Sequence, residues 1–287
     1  MTNDEIIAKM KENIKLRNLS LWTEKEYMDK LKALLKYYEN MPLEEMNETH
    51  LRAFLLYLLN EKKLAVGSVN TYNSAFRFIF GAVMERNLNY QMIPRSRIHR
   101  ELPQIMSKKD LKKFFSVIDN LRDKAIFETI YGSGIRLSEC ASLRVQDIDS
   151  ENMRLFVYHG KGGKDRYTIL SKSNLFVLRE YWKEFRPSHP DGYLFYPKDN
   201  KNKCMTWRSI QDAFHKYRKR ANLPKHFTVH TLRHCFATHL LESGVDVCRI
   251  KQLLGHTHIQ STTFYLHLLN FDSNIQSPLD LLEGDEK

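Results

Sequence analysis

Through residues 1–88, apolar side chains recur at helical spacing and nowhere alternate as they do in a strand. The first amphipathic run covers Asp4 to about Arg17. The second runs from Thr23 to Tyr38, with Tyr27, Leu31, Leu34 and Leu35 on one face. Thr49 stands just before a third, striped by Leu51, Phe54, Leu55 and Leu58. Ser68 is placed to cap a fourth, which passes Tyr72, Phe76, Ile79 and Val83 and ends at Glu85. Helices with one apolar face bury it against one another, so this stretch predicts a small helical bundle.

The pattern fails between Asn87 and Met106. Pro94 and Pro103 interrupt a segment that carries Arg95, Arg97, His99 and Arg100. Residues 89–106 therefore read as a linker, and its three arginines are candidates either for a DNA-contacting strap or for a solvated connection. From residue 107 to 287 a second domain is expected. Helical runs at 108–118, 122–130 and 137–143 precede two strand-like segments, Leu155–Tyr158 and Arg166–Leu170. The strands flank the turn Gly160-Lys161-Gly162-Gly163-Lys164, which predicts a β-hairpin. Helices are expected at about 172–184, 207–220, 231–243, 246–254 and 261–268. The fold class is mainly α with a small antiparallel β-sheet.

Charge bears on the partner. Basic residues outnumber acidic ones 16 to 12 in residues 1–100 and 29 to 22 in the remainder, for a formal net charge of +11. Both parts can face a polyanion, and nucleic acid is the natural one. No stretch reaches the roughly 18 apolar residues of a membrane span. Met1-Thr2-Asn3-Asp4-Glu5 has neither a basic nor an apolar leader pattern, so a cytoplasmic location and no membrane partner are expected. Cys140, Cys204, Cys235 and Cys248 share no C-x-x-C spacing and read as reduced core residues.

Four islands carry chemistry-capable residues. In Gly134-Ile135-Arg136-Leu137-Ser138-Glu139, Arg136 can fork onto a phosphate or simply pair with Glu139. Lys161 and Lys164 lie in a turn that is no Walker A loop but can reach a phosphate or a leaving oxygen; a solvated turn is the other reading. On the helix from His230, Arg233 lies three residues on, so both point to one side, opposite Leu232, Phe236 and Leu240. His234 and His239 suggest zinc only weakly, because H-E-x-x-H and an acidic ligand are missing. Finally, Gly255 reads as a helix stop and Ser261 as the cap of the next helix. The loop between them lets His256 and Tyr265, nine residues apart, approach one point. Tyr265 is otherwise one of 14 tyrosines.

The order Arg136, Lys161, His230-x-x-Arg233, Gly255-His256, Tyr265 resembles the tyrosine recombinase (phage integrase) family, most of all its simple Xer-type and transposon members. The resemblance covers the whole chain. It implies a SAM-like four-helix core-binding domain over 1–88 and a mixed α/β catalytic domain over 107–287. It implies that Arg136, Lys161, His230, Arg233, His256 and Tyr265 are catalytic, with Glu139 in support. Arg95, Arg97, Arg100 and Lys164 are DNA-binding candidates. In this reading Tyr265 attacks a DNA phosphate, Arg136, Arg233 and His256 stabilise its charge, His230 takes the tyrosine proton and Lys161 protonates the 5′ oxygen. The phosphotyrosine stores the bond energy, so no cofactor and no metal are expected. The implied partners are double-stranded DNA with a recombination site, three further copies forming a tetramer on it, and accessory proteins or a paralogous recombinase. An apolar tail with Leu279, Leu281 and Leu282 docks onto a neighbouring subunit or folds back on its own domain. Type IB topoisomerase-like relaxation and a catalytically silent DNA-binding protein are the rival functions.

Overall fold

The computed structural model describes residues 1–98, 104–158, 165–197, 203–256, 258–263 and 265–266, with Ser261 by its backbone alone. Lys161, Lys164, Arg100, the tip of the hairpin and the tail with Leu279, Leu281 and Leu282 lie outside the described residues. The chain divides into two compact units, Met1–Arg100 and Glu101–Lys287.

The first unit packs four helices, α1 (Asn3–Leu16), α2 (Leu21–Tyr37), α3 (Glu48–Asn60) and α4 (Val66–Phe76), the last continued by a π-helical turn over Arg77–Val83. Ile6, Met10, Leu31, Leu34, Leu51, Phe54, Phe76 and Phe80 meet in one buried cluster. Capping moves three helix starts from their expected places. Ser20 rather than a later residue caps α2, its hydroxyl accepting from the Thr23 amide. Asn47 caps α3 by accepting from the amides of Thr49 and His50. Helix α4 begins at Val66 with no side-chain cap, so Ser68 already lies inside it.

The segment expected to act as a linker from residue 89 is instead tied to the first unit as far as Ser96. Ile93 is buried in the helical core. Its carbonyl accepts from Asn73 and Arg77, and Asn70 bonds both the amide and the carbonyl of Ser96. Backbone polar groups that would otherwise lack partners beside the bundle are satisfied by these side chains.

The second unit holds α5 (Lys108–Ser116), α6 (Leu121–Ser133), α7 (Leu137–Ala141), α8 (Lys172–Phe185), α9 (Trp207–Arg220), α10 (Val229–Glu242), α11 (Val247–Leu254) and α12 (Gln260–Thr263). Its antiparallel sheet has the order β1-β2-β3, with β1 (Ile148–Asp149), β2 (Arg154–Val157) and β3 (Arg166–Ile169). The expected hairpin is β2–β3, in the register Leu155 to Thr168 and Val157 to Arg166. The two-residue β1 is too short to show a period and was not expected.

The core of this unit runs from Phe114 and Phe127 through Leu155 and Tyr181 to Phe214 and Leu232. Cys140 and Cys235 belong to it, but Cys204 and Cys248 are exposed, contrary to the core reading. A smaller cluster holds Phe236, Leu241, Ile250, Leu254 and Tyr265. Among the described residues no helix is long and apolar enough to cross a membrane, and no three His, Cys, Asp or Glu side chains are grouped to hold a metal.

Candidate active site

Helix geometry brings the site together. Helix α6 ends at Gly134, whose left-handed backbone (φ 63°) lets its amide bond the Ile130 carbonyl and turns the chain into α7. Arg136 precedes α7, and its amide donates to Glu139 at 2.7 Å. Glycine is required here twice over, by the φ angle and because a Cβ would overlap the Phe236 ring. Gly134→Ala is expected to cost about 3 kcal/mol, from left-handed strain and overpacking together. Urea denaturation would read it, and Phe236→Leu in the same chain should recover part; undiminished stability in the alanine variant would refute the constraint.

Gly255 ends α11 in the same left-handed way, at φ 64°. The His256 amide reaches back to the Lys251 carbonyl, closing a Schellman motif as its expected stop position requires. The last carbonyls of α11 are then met by arginines. Arg166 Nε donates to Leu253 O at 2.9 Å, and Arg233 Nη2 to Leu254 O at 2.7 Å. Cations at a helix C-terminus are favoured by its dipole as well as by these bonds.

Glu139 is the hub. Its carboxylate takes Arg166 in a bidentate grip at 3.0 and 2.7 Å and Arg136 Nη1 at 2.8 Å, with Arg233 Nη1 at 3.8 Å. Burial alone would raise its pKa. The bonds and charge of Arg166, with the amide and charge of Arg136, outweigh that and hold it at about 2. Three guanidiniums face one carboxylate, so the pocket keeps an excess of positive charge. Arg233 is only 1% exposed. Its Nη1 also donates to Gly134 O at 2.6 Å, which helps to fix this buried charge in place. Arg136 is more open, and only its Nη1 is committed to Glu139.

The two histidine islands and the tyrosine converge on this cluster. Arg233 Nη2 lies 3.2 Å from His256 Nε2, and arginine can only donate, so that nitrogen accepts. The ring proton is thereby assigned to Nδ1, 2.8 Å from Thr262 Oγ1. Desolvation, then the charges of Arg233 and Arg136, push the His256 pKa down to about 3. Donation from His256 to an anion requires the other tautomer, which Thr262 permits because a hydroxyl donates as readily as it accepts.

The Tyr265 ring lies parallel to His256, with centroids 6.4 Å apart and planes 10° off. Tyr265 is 3% exposed. Burial raises its pKa, and Arg233 and Arg136 offset part of that rise. Helix α12 begins at Gln260, so Ser261 lies within it rather than capping it, and Tyr265 follows its end.

The histidine that meets the Tyr265 hydroxyl is not the one expected to take its proton. The Tyr265 hydroxyl bonds His234 Nδ1 at 2.9 Å, and no bond joins it to His230 among the described residues. His230 sits in the first turn of α10 with an exposed face, and its ring meets that of His234 edge-on at 4.6 Å. His234 is one turn further along the same helix face, where the segment after α12 packs. Desolvation is the largest cause that lowers the pKa of both histidines, that of His234 to about 4, and Arg233 adds to it in each. His239, the other histidine weighed for zinc, is buried and meets the Tyr131 hydroxyl through Nδ1 at 3.1 Å.

Sequence reasoning missed His234 and Arg166. The signal for His234 was its spacing of four from His230, which the zinc reading absorbed. For Arg166 it was strand alternation, which puts it on the same face as the buried Thr168. Arg95 and Arg97 are exposed on the first unit, and Arg95 bonds Ser74 at 3.2 Å.

Known proteins resemble this chain throughout. The Phage integrase family model matches residues 103–270, and the phage integrase N-terminal SAM-like domain model matches residues 6–90. A protein of Sinorhizobium fredii that carries the name "Putative integrase/recombinase y4qK" is 36% identical over 276 residues, covering 96% of this chain and 88% of its own. The tyrosine recombinase XerC of Oceanobacillus iheyensis is 32% identical, over 88% of this chain and 87% of its own. The structure of the Tn1549 transposon integrase in complex with transposon right-end DNA superposes with a TM-score of 0.73 at 19% identity. That match covers 99% of this chain and 98% of the integrase chain.

Proposed function

The chain belongs to the phage integrase family and is a tyrosine-type site-specific recombinase, and from that premise we propose that Tyr265 is the nucleophile that cuts and rejoins DNA. One observation carries the reading: the Tyr265 hydroxyl bonds His234 and its ring lies parallel to His256, which Arg233 in turn holds at 3.2 Å. A phosphodiester entering there meets fixed cations, and the negative charge that grows on its non-bridging oxygens in the transition state is stabilised by them. Arg136 binds those oxygens through its uncommitted N–H groups. Arg233 is held rigid by Gly134 and Leu254, so little reorganisation accompanies the reaction. Glu139 and Arg166 fix the two guanidiniums, and His230 offers its exposed edge to the same anion.

Tyr265 Oη gives up its proton to a neighbouring histidine as it bonds to phosphorus, and the bond to the 5′ oxygen breaks, with Lys161 supplying the proton to that oxygen. A 3′-phosphotyrosyl linkage and a 5′ hydroxyl result, and attack by a partner strand's 5′ hydroxyl reverses the step with exchanged ends. No external energy source enters, because one phosphoester replaces another. Two duplexes must be held at once, so the working assembly is a homotetramer on double-stranded DNA in the cytoplasm. Accessory proteins or a paralogous recombinase select the site. Arg95, Arg97, Arg100 and Lys164 contact the backbone.

Strand exchange on its own site is the deciding experiment. Genomic fragments captured covalently by the protein are sequenced, the recovered site is placed twice on a plasmid, and recombinant product is measured beside supercoil relaxation. Recombinant product is expected; relaxation without it would favour a topoisomerase, and DNA binding with neither would leave a silent binding protein.

A further inference from the structure

Activating a phenol needs a group that touches its oxygen. Among the described residues His234 and His256 meet the Tyr265 ring, and His230 packs on His234. Both nitrogens of His256 are engaged, Nε2 with Arg233 and Nδ1 with Thr262. His230 has no hydrogen bond to the phenol among the described residues, and the His234 ring packs against it. Among the described histidines only His234 has a hydrogen bond to that oxygen, at 2.9 Å through Nδ1, within the distance a proton-transfer partner requires.

We infer that His234 is a catalytic residue of the recombination reaction, the group that accepts the Tyr265 proton as the phenolic oxygen bonds to phosphorus. The inference rests on Tyr265 being the nucleophile. In the step, the Oη–H proton moves to His234 Nδ1, the Oη–P bond forms and the P–O5′ bond breaks. The 5′ oxygen takes its proton from the acid assigned to Lys161. Attack by the incoming 5′ hydroxyl returns Tyr265 as a phenol, and His234 gives the proton back.

The surroundings suit this exchange. The titratable and charged groups facing His234 are His230 and Arg233 on its own helix and Tyr265 from the segment after α12. Desolvation first, then His230 and Arg233, lower the pKa of His234, so its ring is neutral and able to accept. An imidazolium beside Arg233 is costly on its own. A phosphodiester bound to Arg136 and Arg233 brings the negative charge that offsets it, so His234 becomes a better base only when substrate is in place.

The test is single-turnover covalent capture of a nicked DNA substrate. His234→Asn keeps a hydrogen-bonding group but cannot take a proton, and it should slow capture by roughly 10²-fold. His234→Gln, with a longer reach, should be slowed alike. Replacing Tyr265 in the asparagine variant by a ring-fluorinated tyrosine, whose phenol ionises more readily, should restore at least about tenfold of the rate. A variant that merely misplaces Tyr265 gains nothing from that change. Capture within about threefold of the unsubstituted protein in both variants, or a slow rate that fluorination leaves unimproved, would overturn the role of His234. Tyr265→Phe separates the two claims. If it still captures DNA, the nucleophile assignment fails; if it is inert while His234→Asn is fast, only the acceptor role fails.

Discussion

Tyr265→Phe is expected to abolish covalent capture of DNA while leaving DNA affinity within about threefold. The substitution removes one oxygen atom. The ring keeps its place in the cluster of Phe236, Leu241, Ile250 and Leu254 and its parallel contact with His256. What is lost is the hydroxyl that bonds His234, a net change of about 1 kcal/mol in stability. Affinity is carried by phosphate contacts spread over basic residues, which a buried phenol does not supply. The loss of reaction is therefore complete rather than graded, because phenylalanine has no nucleophilic atom. Denaturing gels with end-labelled DNA would detect the covalent species, and gel-shift titration would measure binding. A covalent adduct persisting in the phenylalanine variant would assign the chemistry to another residue. A hundredfold loss of affinity would mean that Tyr265 holds the site in shape.

Much of this arrangement was legible in the residues because it rests on local rules. Gly255 could be read as a helix stop, since only a left-handed position there lets His256 turn back toward α10. His230 and Arg233 could be read onto one face from their spacing of three. Glu139 was seen as a partner for Arg136, and a capping position three residues on does bring the carboxylate to the Arg136 amide. Illegible were the contacts that join distant segments. Nothing local says that Arg166, 27 residues from Glu139, forks onto its carboxylate, or that Arg233 lies beneath the carbonyls of Gly134 and Leu254. His234 was legible as a histidine on the active face, but which of two histidines meets Tyr265 depends on where the segment after α12 docks. Chain spacing does not encode that. The packing of residues 93–96 on the first unit was hidden for a related reason. Pro94 and the lost periodicity marked irregular backbone correctly, yet irregular backbone packs well when side chains such as Asn73 and Arg77 satisfy its carbonyls.

Arg233→Lys should damage both the reaction and the fold, and the comparison with Arg136→Lys separates the two effects. Arg233 divides its N–H groups among Gly134 O, Leu254 O and His256 Nε2, and it is buried. An ammonium is a compact donor on a single atom and cannot span two carbonyls on different elements while also facing a phosphate. At least one of those carbonyls loses its partner, at about 2 kcal/mol for a buried bond to a charged group. A lysine there, desolvated beside Arg136 and Arg166, is also driven toward its neutral form, which removes charge from the phosphate site. Covalent capture is expected to fall by about 10²- to 10³-fold, together with a stability loss of about 2 kcal/mol in urea. Among the described residues Arg136 makes one side-chain bond, to Glu139, and it is more exposed than Arg233. Its lysine variant should lose capture to a similar degree with less than about 1 kcal/mol of stability. Equal stability losses in the two variants would contradict the division of labour, in which Arg136 serves the phosphate and Arg233 serves the phosphate and the scaffold together. Undiminished capture by Arg233→Lys would reduce that arginine to a structural tie between α6, α10 and α11.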